Sequence, residues 1–231
     1  MFLNRKILAL IPARGGSKGI KFKNLRKINK ISLLAHTSKF IDRCQFFDDK
    51  IVTTESKKIM NEANKLKVTI FKRSKLTSKD YSSDFEVISE VLNCKLIQQK
   101  KYDFVVYLQP TSPIRKIFQL KKALSTIIKK KYDASWSISK INKKFHPKKV
   151  LKLSKNNFLS IYNKKGKKIF ARQQLEDVYI RNGIFYIFKV SKFLKSKNIF
   201  FKKNYPSITN YSSVNIDTHE DLKKASKIVA N

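Results

Sequence analysis

KILALIPARGGSKGIKFKN, residues 6–24, decides the fold. Its first part, Lys6–Pro12, is an unbroken apolar run ending at a turn residue, the pattern of a strand buried on both faces. Its second part holds Gly15, Gly16 and Gly19, three of the five glycines in the chain. A glycine-rich turn after a buried strand fits an open α/β sheet, where ligands bind beyond the carboxyl ends of strands. Glycines there let backbone N–H groups approach an anion closely. Arg14, Lys18 and Lys23 add positive charge around the turn, and Ser17 a hydroxyl. The spacing matches neither the dinucleotide fingerprint nor the P-loop, so the segment reads either as a triphosphate cradle or as an ordinary tight turn among surface lysines.

The alternation continues outward. Leu33–Cys44 has helical spacing, Lys50–Thr54 reads as a strand, Glu55–Leu66 as a helix and Val68–Phe71 as a strand. Ser83 and Glu86 form a capping box that opens a helix reaching about Gln99. Phe104–Gln109 is the next apolar run, stopped by Pro110, and a helix over Phe118–Lys130 leads to a strand at Ala134–Ser139. Strand and helix in repetition predict an α/β domain with a mostly parallel sheet. From Ala134 to Leu175 the chain has 12 basic residues and no acidic one, with a hairpin-turn candidate at Asn163–Lys168. That stretch reads as an insertion leaving the sheet, which resumes at Gly183–Phe188. The chain closes with Val214–Asp217 and a helix capped by Thr218 and Asp221. One domain over residues 1–231, with an insertion at about 140–180, is the simplest organisation.

The formal charge of +36 points first to nucleic acid or an anionic membrane. Its composition points elsewhere: 44 Lys stand against 8 Arg, beside many Ile and Asn, which is what AT-rich codons encode. A nucleic-acid reader draws more on arginine for bidentate contacts, and no RNA-recognition motif is visible, so no specific nucleic acid is expected. Two cysteines, Cys44 and Cys94, make no disulfide framework, and no apolar run approaches the roughly 18 residues of a membrane helix. A cytoplasmic address and no membrane partner are expected.

Leu108–Arg115, LQPTSPIR, carries two of the five prolines at the end of another buried run. Gln109, Thr111, Ser112 and Arg115 there offer amide, hydroxyl and guanidinium groups on a stiffened loop. With IPARGGSKGIKFKN it resembles the cytidylyltransferases that activate acidic nine-carbon sugars, the CMP-N-acetylneuraminate synthetases and their legionaminate and pseudaminate relatives. The resemblance extends through RQQ at Arg172–Gln174, RNGIFYI at Arg181–Ile187 and NIDTHEDL at Asn215–Leu222, covering nearly the whole chain.

The resemblance implies a Rossmann-like nucleotidyltransferase domain with a mixed, mostly parallel sheet and a β-rich insertion that builds a homodimer. It implies attack of a sugar hydroxyl on the α-phosphorus of CTP, with Mg²⁺, giving CMP-sugar and pyrophosphate. Arg14, Gly15, Gly16, Ser17, Lys18, Lys23 and Asn24 match the loop that holds the nucleotide, with Lys23, Arg14 and Asp217 as the catalytic set. Arg73, Ser82 and Ser83 match residues near the base or ribose. Gln109, Lys149, Arg172, Arg181 and Tyr186 match the sugar side, and Asp217 with Asn215 the metal position. The chain departs from the pattern at Ser74, where a proline is usual, at Glu55, where an aspartate is common, at Ile184–Phe185, where small residues stand, and at Asn215, the first carboxylate of a D-x-D pair. The last departure admits a catalytically weakened relative. A basic nucleic-acid-binding protein is the alternative of another class. No side-chain arrangement for covalent catalysis is present, and the general base is not identified.

Overall fold

The computed structural model describes residues 1–17, 19–211 and 213–230. β1 (Ile7–Pro12) lies inside the sheet, and its side chains alternate between two cores. Ile7, Ala9 and Ile11 enter one, Leu8 and Leu10 the other, and all five are fully buried. Each such aliphatic side chain contributes about 1.5–3 kcal/mol of burial, which explains a run with no polar alternation. β2 (Lys27–Ile28) and β3 (Ile31–Ser32) form a small hairpin whose turn residues Asn29 and Lys30 take positive φ. Ser32 then caps α1 (Leu33–Asp42), its hydroxyl accepting from the Ala35 N–H at 3.0 Å.

β4 (Asp49–Thr54), α2 (Lys57–Lys65) and β5 (Thr69–Lys72) continue the alternation. α3 (Asp84–Leu92), α4 (Lys95–Gln99), β6 (Phe104–Tyr107), α5 (Ile117–Lys129) and β7 (Ala134–Lys140) follow. Then come β8 (Leu151–Leu153), β9 (Leu159–Ile161), β10 (Tyr179–Lys189), α6 (Val190–Phe193), β11 (Asn204–Ile208) and α7 (His219–Ala230). Among the described residues, seven strands make one sheet in the order β11-β7-β10-β6-β1-β4-β5. β1 pairs parallel with β4 and β6, β4 pairs parallel with β5, and β10 runs antiparallel to β6 with Tyr186 opposite Tyr107. The sheet is thus mixed and mostly parallel over its described pairings, in a Rossmann-like α/β fold. α1, α2 and α5 cover one face through Leu34, Ile59 and Leu124; α3 and α6 cover the other through Ile88 and Phe193.

A third core holds Ile20, Ile28, Leu33, Ile216 and Ala225. It ties the end of the glycine-rich turn to the segment before α7. The chain divides into two compact units: Met1–Ser137 with Asn182–Ser207 and Tyr211–Asn231, and Ile138–Arg181 with Ile208–Asn210. In the second unit, Lys140 pairs with Asp177 and Lys148 with Glu176, at 2.7 and 2.8 Å, and these lysines hold both carboxyls below the usual range.

Two expectations need correction. The helix opened by Ser83 does not run unbroken to Gln99, because Cys94 adopts extended backbone and separates α3 from α4; Asn93 and Cys94 are weak helix formers. The hairpin reversal of the basic stretch lies between β8 and β9, where Asn157 takes φ 60°, and residues 164–168 form a 3₁₀ turn instead. Gly166 serves close packing there, since a Cβ would stand 2.0 Å from the Lys148 carbonyl oxygen. An edge strand stands at Asn204–Ile208, where no element was expected, and its Pro206 suits that place.

Candidate functional site

A cleft of about 490 Å³ opens within the first unit. Segments following β1, β5 and β6, the start of α3 and the stretch before α7 all contribute to its lining. Hydrogen bonds to the segment ending β4 hold the turn after β1 as it leaves the sheet. The Ala13 N–H donates to the Thr53 carbonyl at 3.0 Å, and the Gly15 N–H donates to Glu55 Oε1 at 2.6 Å. The other carboxylate oxygen of Glu55 is buried and, among the described residues, has no hydrogen-bond partner. Asn24 closes the turn, its amide donating to the Arg14 carbonyl at 3.0 Å.

The three glycines have different reasons to be glycine. A Cβ at Gly15 would meet the Ser56 Cβ at 2.7 Å, and one at Gly19 would meet the Asp217 carbonyl oxygen at 2.6 Å. A Cβ at Gly16 would meet nothing within 4 Å. Packing within the protein therefore explains Gly15 and Gly19 and leaves Gly16 facing open space.

Two cations flank the turn. Lys23 donates to Asp217 Oδ1 at 2.7 Å, and Arg14 to Asp80 Oδ1 at 2.8 Å. The Asp217 Oδ2 accepts from the Asn215 amide at 3.1 Å, while the Asn215 carbonyl oxygen faces the Ser112 hydroxyl at 3.5 Å. Ile216 is fully buried and donates its N–H to the Thr111 carbonyl at 2.8 Å, which fixes residues 215 and 217 on the cleft side. Among the described residues, no cluster of three His, Cys, Asp or Glu side chains is arranged to hold a metal.

Arg73 lies just past β5 and is buried, yet it lines the cleft. Its Nε donates to Thr53 Oγ1 at 3.2 Å and one terminal nitrogen to the Thr53 carbonyl at 2.9 Å. Burial pulls its pKa below the ordinary guanidinium value, against the opposing pull of Tyr107, Glu55 and Glu90. Ser74, where a proline was expected, uses the N–H a proline lacks: it donates to Glu90 Oε1 at 2.7 Å, and Thr77 donates its hydroxyl to the other oxygen of Glu90.

Of the residues expected in the site, the structure brings Arg14, Ser17, Lys23, Asn24, Arg73, Ser82, Gln109, Asn215 and Asp217 to this one cleft. Gly15 and Gly16 belong to the same turn. Lys18 lies outside the described residues. Ser83 is occupied as the cap of α3, exchanging hydrogen bonds with Glu86. Tyr186 is buried in a core cluster with Trp136 packed edge-on to its ring. Lys149, Arg172 and Arg181 are exposed residues of the second unit. Arg115 does not offer its guanidinium to a ligand: it is half-buried and donates to the Ile184 and Gln109 carbonyls and the Thr37 hydroxyl, and loss of solvent around it pulls its pKa down to about 9. Its bonds hold the LQPTSP loop. Gly183, at φ +72°, leaves room for that loop, since a Cβ there would meet Ser112 Oγ at 2.8 Å and Gln109 Oε1 at 2.9 Å.

Thr111, expected on the LQPTSPIR loop, also lines the cleft; Asp84, Val87 and Tyr107 line it and were not anticipated. Tyr107 ends β6 and Asp84 follows the serine cap; position at the end of a strand or the start of a helix was the available signal.

A family model described as cytidylyltransferase matches residues 8–230. An N-acylneuraminate cytidylyltransferase of Streptococcus agalactiae is 27% identical over 220 residues, covering 94% of this chain and 52% of that protein. The chain thus spans about half the length of that relative. CMP-N,N'-diacetyllegionaminic acid synthase of Legionella pneumophila is 29% identical, covering 97% of this chain and 96% of that protein. Among solved structures, CMP:2-keto-3-deoxy-manno-octonic acid synthetase complexed with CTP superposes with a TM-score of 0.72 at 13% identity, covering 97% of this chain and 98% of the other. That likeness shows the fold.

Proposed function

The chain belongs to the cytidylyltransferase family, and on that premise we propose that it transfers CMP from CTP to an acidic nine-carbon sugar, N-acetylneuraminate or a related nonulosonate, releasing pyrophosphate. The observation that carries the reading is Gly16, a glycine facing open space in a turn bounded by Arg14 and Lys23. A phosphate chain against that backbone gives the missing side chain its reason.

Phosphoryl transfer asks for position and charge more than for covalent help. The anomeric hydroxyl oxygen of the sugar bonds to the α-phosphorus, and the bond from that phosphorus to the bridging oxygen of pyrophosphate breaks. The hydroxyl proton leaves to solvent. Lys23 stabilises the charge that grows on the phosphoryl oxygens, and Arg14 holds the phosphate chain. Lys23 is pre-aimed by Asp217 until the nucleotide competes for it. Arg73, fixed on Thr53, meets the base, and Gln109 the sugar.

Asp217 offers a carboxylate, and Asn215 would offer an amide oxygen on turning its amide, whose nitrogen now faces Asp217 and whose oxygen faces Ser112; such a pair fits a Mg²⁺ ion that keeps several waters and takes phosphate oxygens as its other ligands. Asp217 with Asn215 would hold it, and it would neutralise charge on the triphosphate.

The second unit exposes Leu153, Phe158, Leu159, Tyr162 and Phe170, each more than 60% accessible. Exposed large apolar side chains in this number support a homodimer as the working form. In that form Lys149, Arg172 and Arg181 serve the sugar carboxylate. No helix of the described residues is long and apolar enough to cross a membrane, and we place the protein in the cytoplasm.

The test is a panel of N-acetylneuraminate, legionaminate, pseudaminate and Kdo, each with the four nucleoside triphosphates, read as pyrophosphate release. Release with CTP and one of the nine-carbon acids alone is expected. Silence on every pairing overturns the reading.

A further inference from the structure

Two carboxylates line the cleft, and only one has a cation. Asp217 is matched by Lys23, whereas Asp84, among the described residues, makes its hydrogen bond to a neutral group: the Tyr107 hydroxyl donates to its Oδ1 at 2.9 Å. An unmatched carboxylate is out of place in a cleft for a triphosphate unless it meets a donor on the ligand. Its setting is fixed. Asp84 opens α3, capped by Ser83 and Glu86, and Tyr107 is buried at the end of β6. Burial and the charge of Asp84 hold the Tyr107 pKa well above its ordinary value, so the hydroxyl keeps its proton and remains a donor. The second oxygen of Asp84 is then a pure acceptor.

Arg73 supplies the complement. Two of its donors are spent on Thr53, and the remaining guanidinium N–H groups are left for the cleft it lines. Val87, one turn into α3, gives an apolar neighbour. An acceptor and a donor fork beside an apolar contact match the edge of an aminopyrimidine: an exocyclic amino group, then two acceptors. Uracil reverses the first two positions, putting a carbonyl where the amino group stood and an N–H beside it. Adenine has an amino group next to one acceptor but no second acceptor for the fork.

We propose that Asp84 is the specificity residue for the base, accepting a hydrogen bond from the 4-amino group of cytosine and repelling the 4-carbonyl of uracil. The proposal rests on the nucleotidyl-transfer reading given above. A carboxylate cannot serve both bases, because it has no proton to donate. Asp84→Asn removes that repulsion: Tyr107 still donates to the retained oxygen, and the new amide nitrogen donates to the uracil carbonyl, while the uracil N–H still faces the donors of Arg73.

The experiment compares kcat/KM for CTP and UTP, with the preferred sugar acid, in wild type, Asp84→Asn and Tyr107→Phe. In Asp84→Asn the CTP:UTP preference is expected to fall by about 10- to 100-fold, chiefly through weaker use of CTP, whose amino group then faces an amide N–H. Tyr107→Phe, which leaves the carboxylate unoriented, should lower the preference by a smaller factor and serves as the second variant should Asp84→Asn fold poorly. Equal losses with both nucleotides, at unchanged preference, overturn the proposal and leave the reaction itself standing. An inactive wild type fails the reaction instead. Calorimetric binding of CMP and UMP then decides Asp84 alone: selective CMP binding that Asp84→Asn removes supports it, and selectivity unmoved by the substitution overturns it.

Discussion

Lys23 and Asp217, 194 residues apart in the chain, meet at 2.7 Å across the mouth of the glycine-rich turn. The lysine is mostly covered and the aspartate mostly exposed. The pair therefore fixes the ammonium group with little effect on folding, as ion pairs open to solvent do. Lys23→Ala should change stability by less than about 1 kcal/mol while lowering kcat about 10²- to 10³-fold, the usual cost of removing a transition-state charge partner. Thermal melts and steady-state kinetics on the same preparation check it. A large loss of stability at unchanged kcat would place Lys23 in the fold instead.

Asn215→Asp tests the metal position without relying on turnover. The native amide donates to Asp217 and its oxygen faces Ser112; a carboxylate there faces Asp217 as a like charge. The variant should melt lower than wild type without metal and gain more from added Mg²⁺, with half-saturation of activity at lower Mg²⁺. An equal Mg²⁺ response in both proteins would falsify the assignment of residues 215 and 217.

The glycines make an internal control. Gly19→Ala pushes a methyl against a backbone oxygen that cannot rotate away, at 2.6 Å, and should destabilise the fold by about 1–3 kcal/mol. Gly16→Ala meets open space and should melt with wild type, while the KM for CTP rises about tenfold or more as the methyl occupies the room of the phosphate chain. A wild-type KM in Gly16→Ala would remove the main support for the cradle.

Asp49 contributes to the acid sensitivity of the fold. Burial pushes its carboxyl up, but hydrogen bonds from Lys100, at 2.7 Å, and Tyr102, with the charges of Lys100 and Lys6, outweigh burial and hold it below the usual value. Its contribution to stability is then complete above the unfolded value of about 3.9 and is lost as pH falls through the lower folded value. Asp49→Asn should be less stable than wild type at neutral pH, with the gap shrinking below about pH 3.9. Urea melts along a pH series measure it; a gap that widens in acid would contradict the sign.

The sheet was legible because burial leaves its mark on composition. A strand covered on both faces, like Ile7–Pro12, must be apolar throughout, and the helix caps at Ser83 and Thr218 need specific side chains. Asn204–Ile208 was not legible, since an edge strand tolerates Pro206 and polar neighbours. In the cleft, Arg14, Lys23 and Arg73 stood out as charges beside rare glycines or on rare arginines. Asp84 and Tyr107 did not, because their meaning is a contact between α3 and β6 that no local pattern encodes. Arg115 misled for the opposite reason: a scarce arginine on a loop is as useful for tying carbonyls together as for binding a ligand.

A residue with a free N–H at position 74 couples that position to Glu90. Once the Ser74 N–H is held by Glu90, that carboxylate also holds Thr77 and stands near Arg73. Ser74→Pro would strand one oxygen of Glu90, and changing Glu90 alone would strand the N–H. Neither residue can change alone without leaving a polar group of the other unpaired, so the two positions act as one unit.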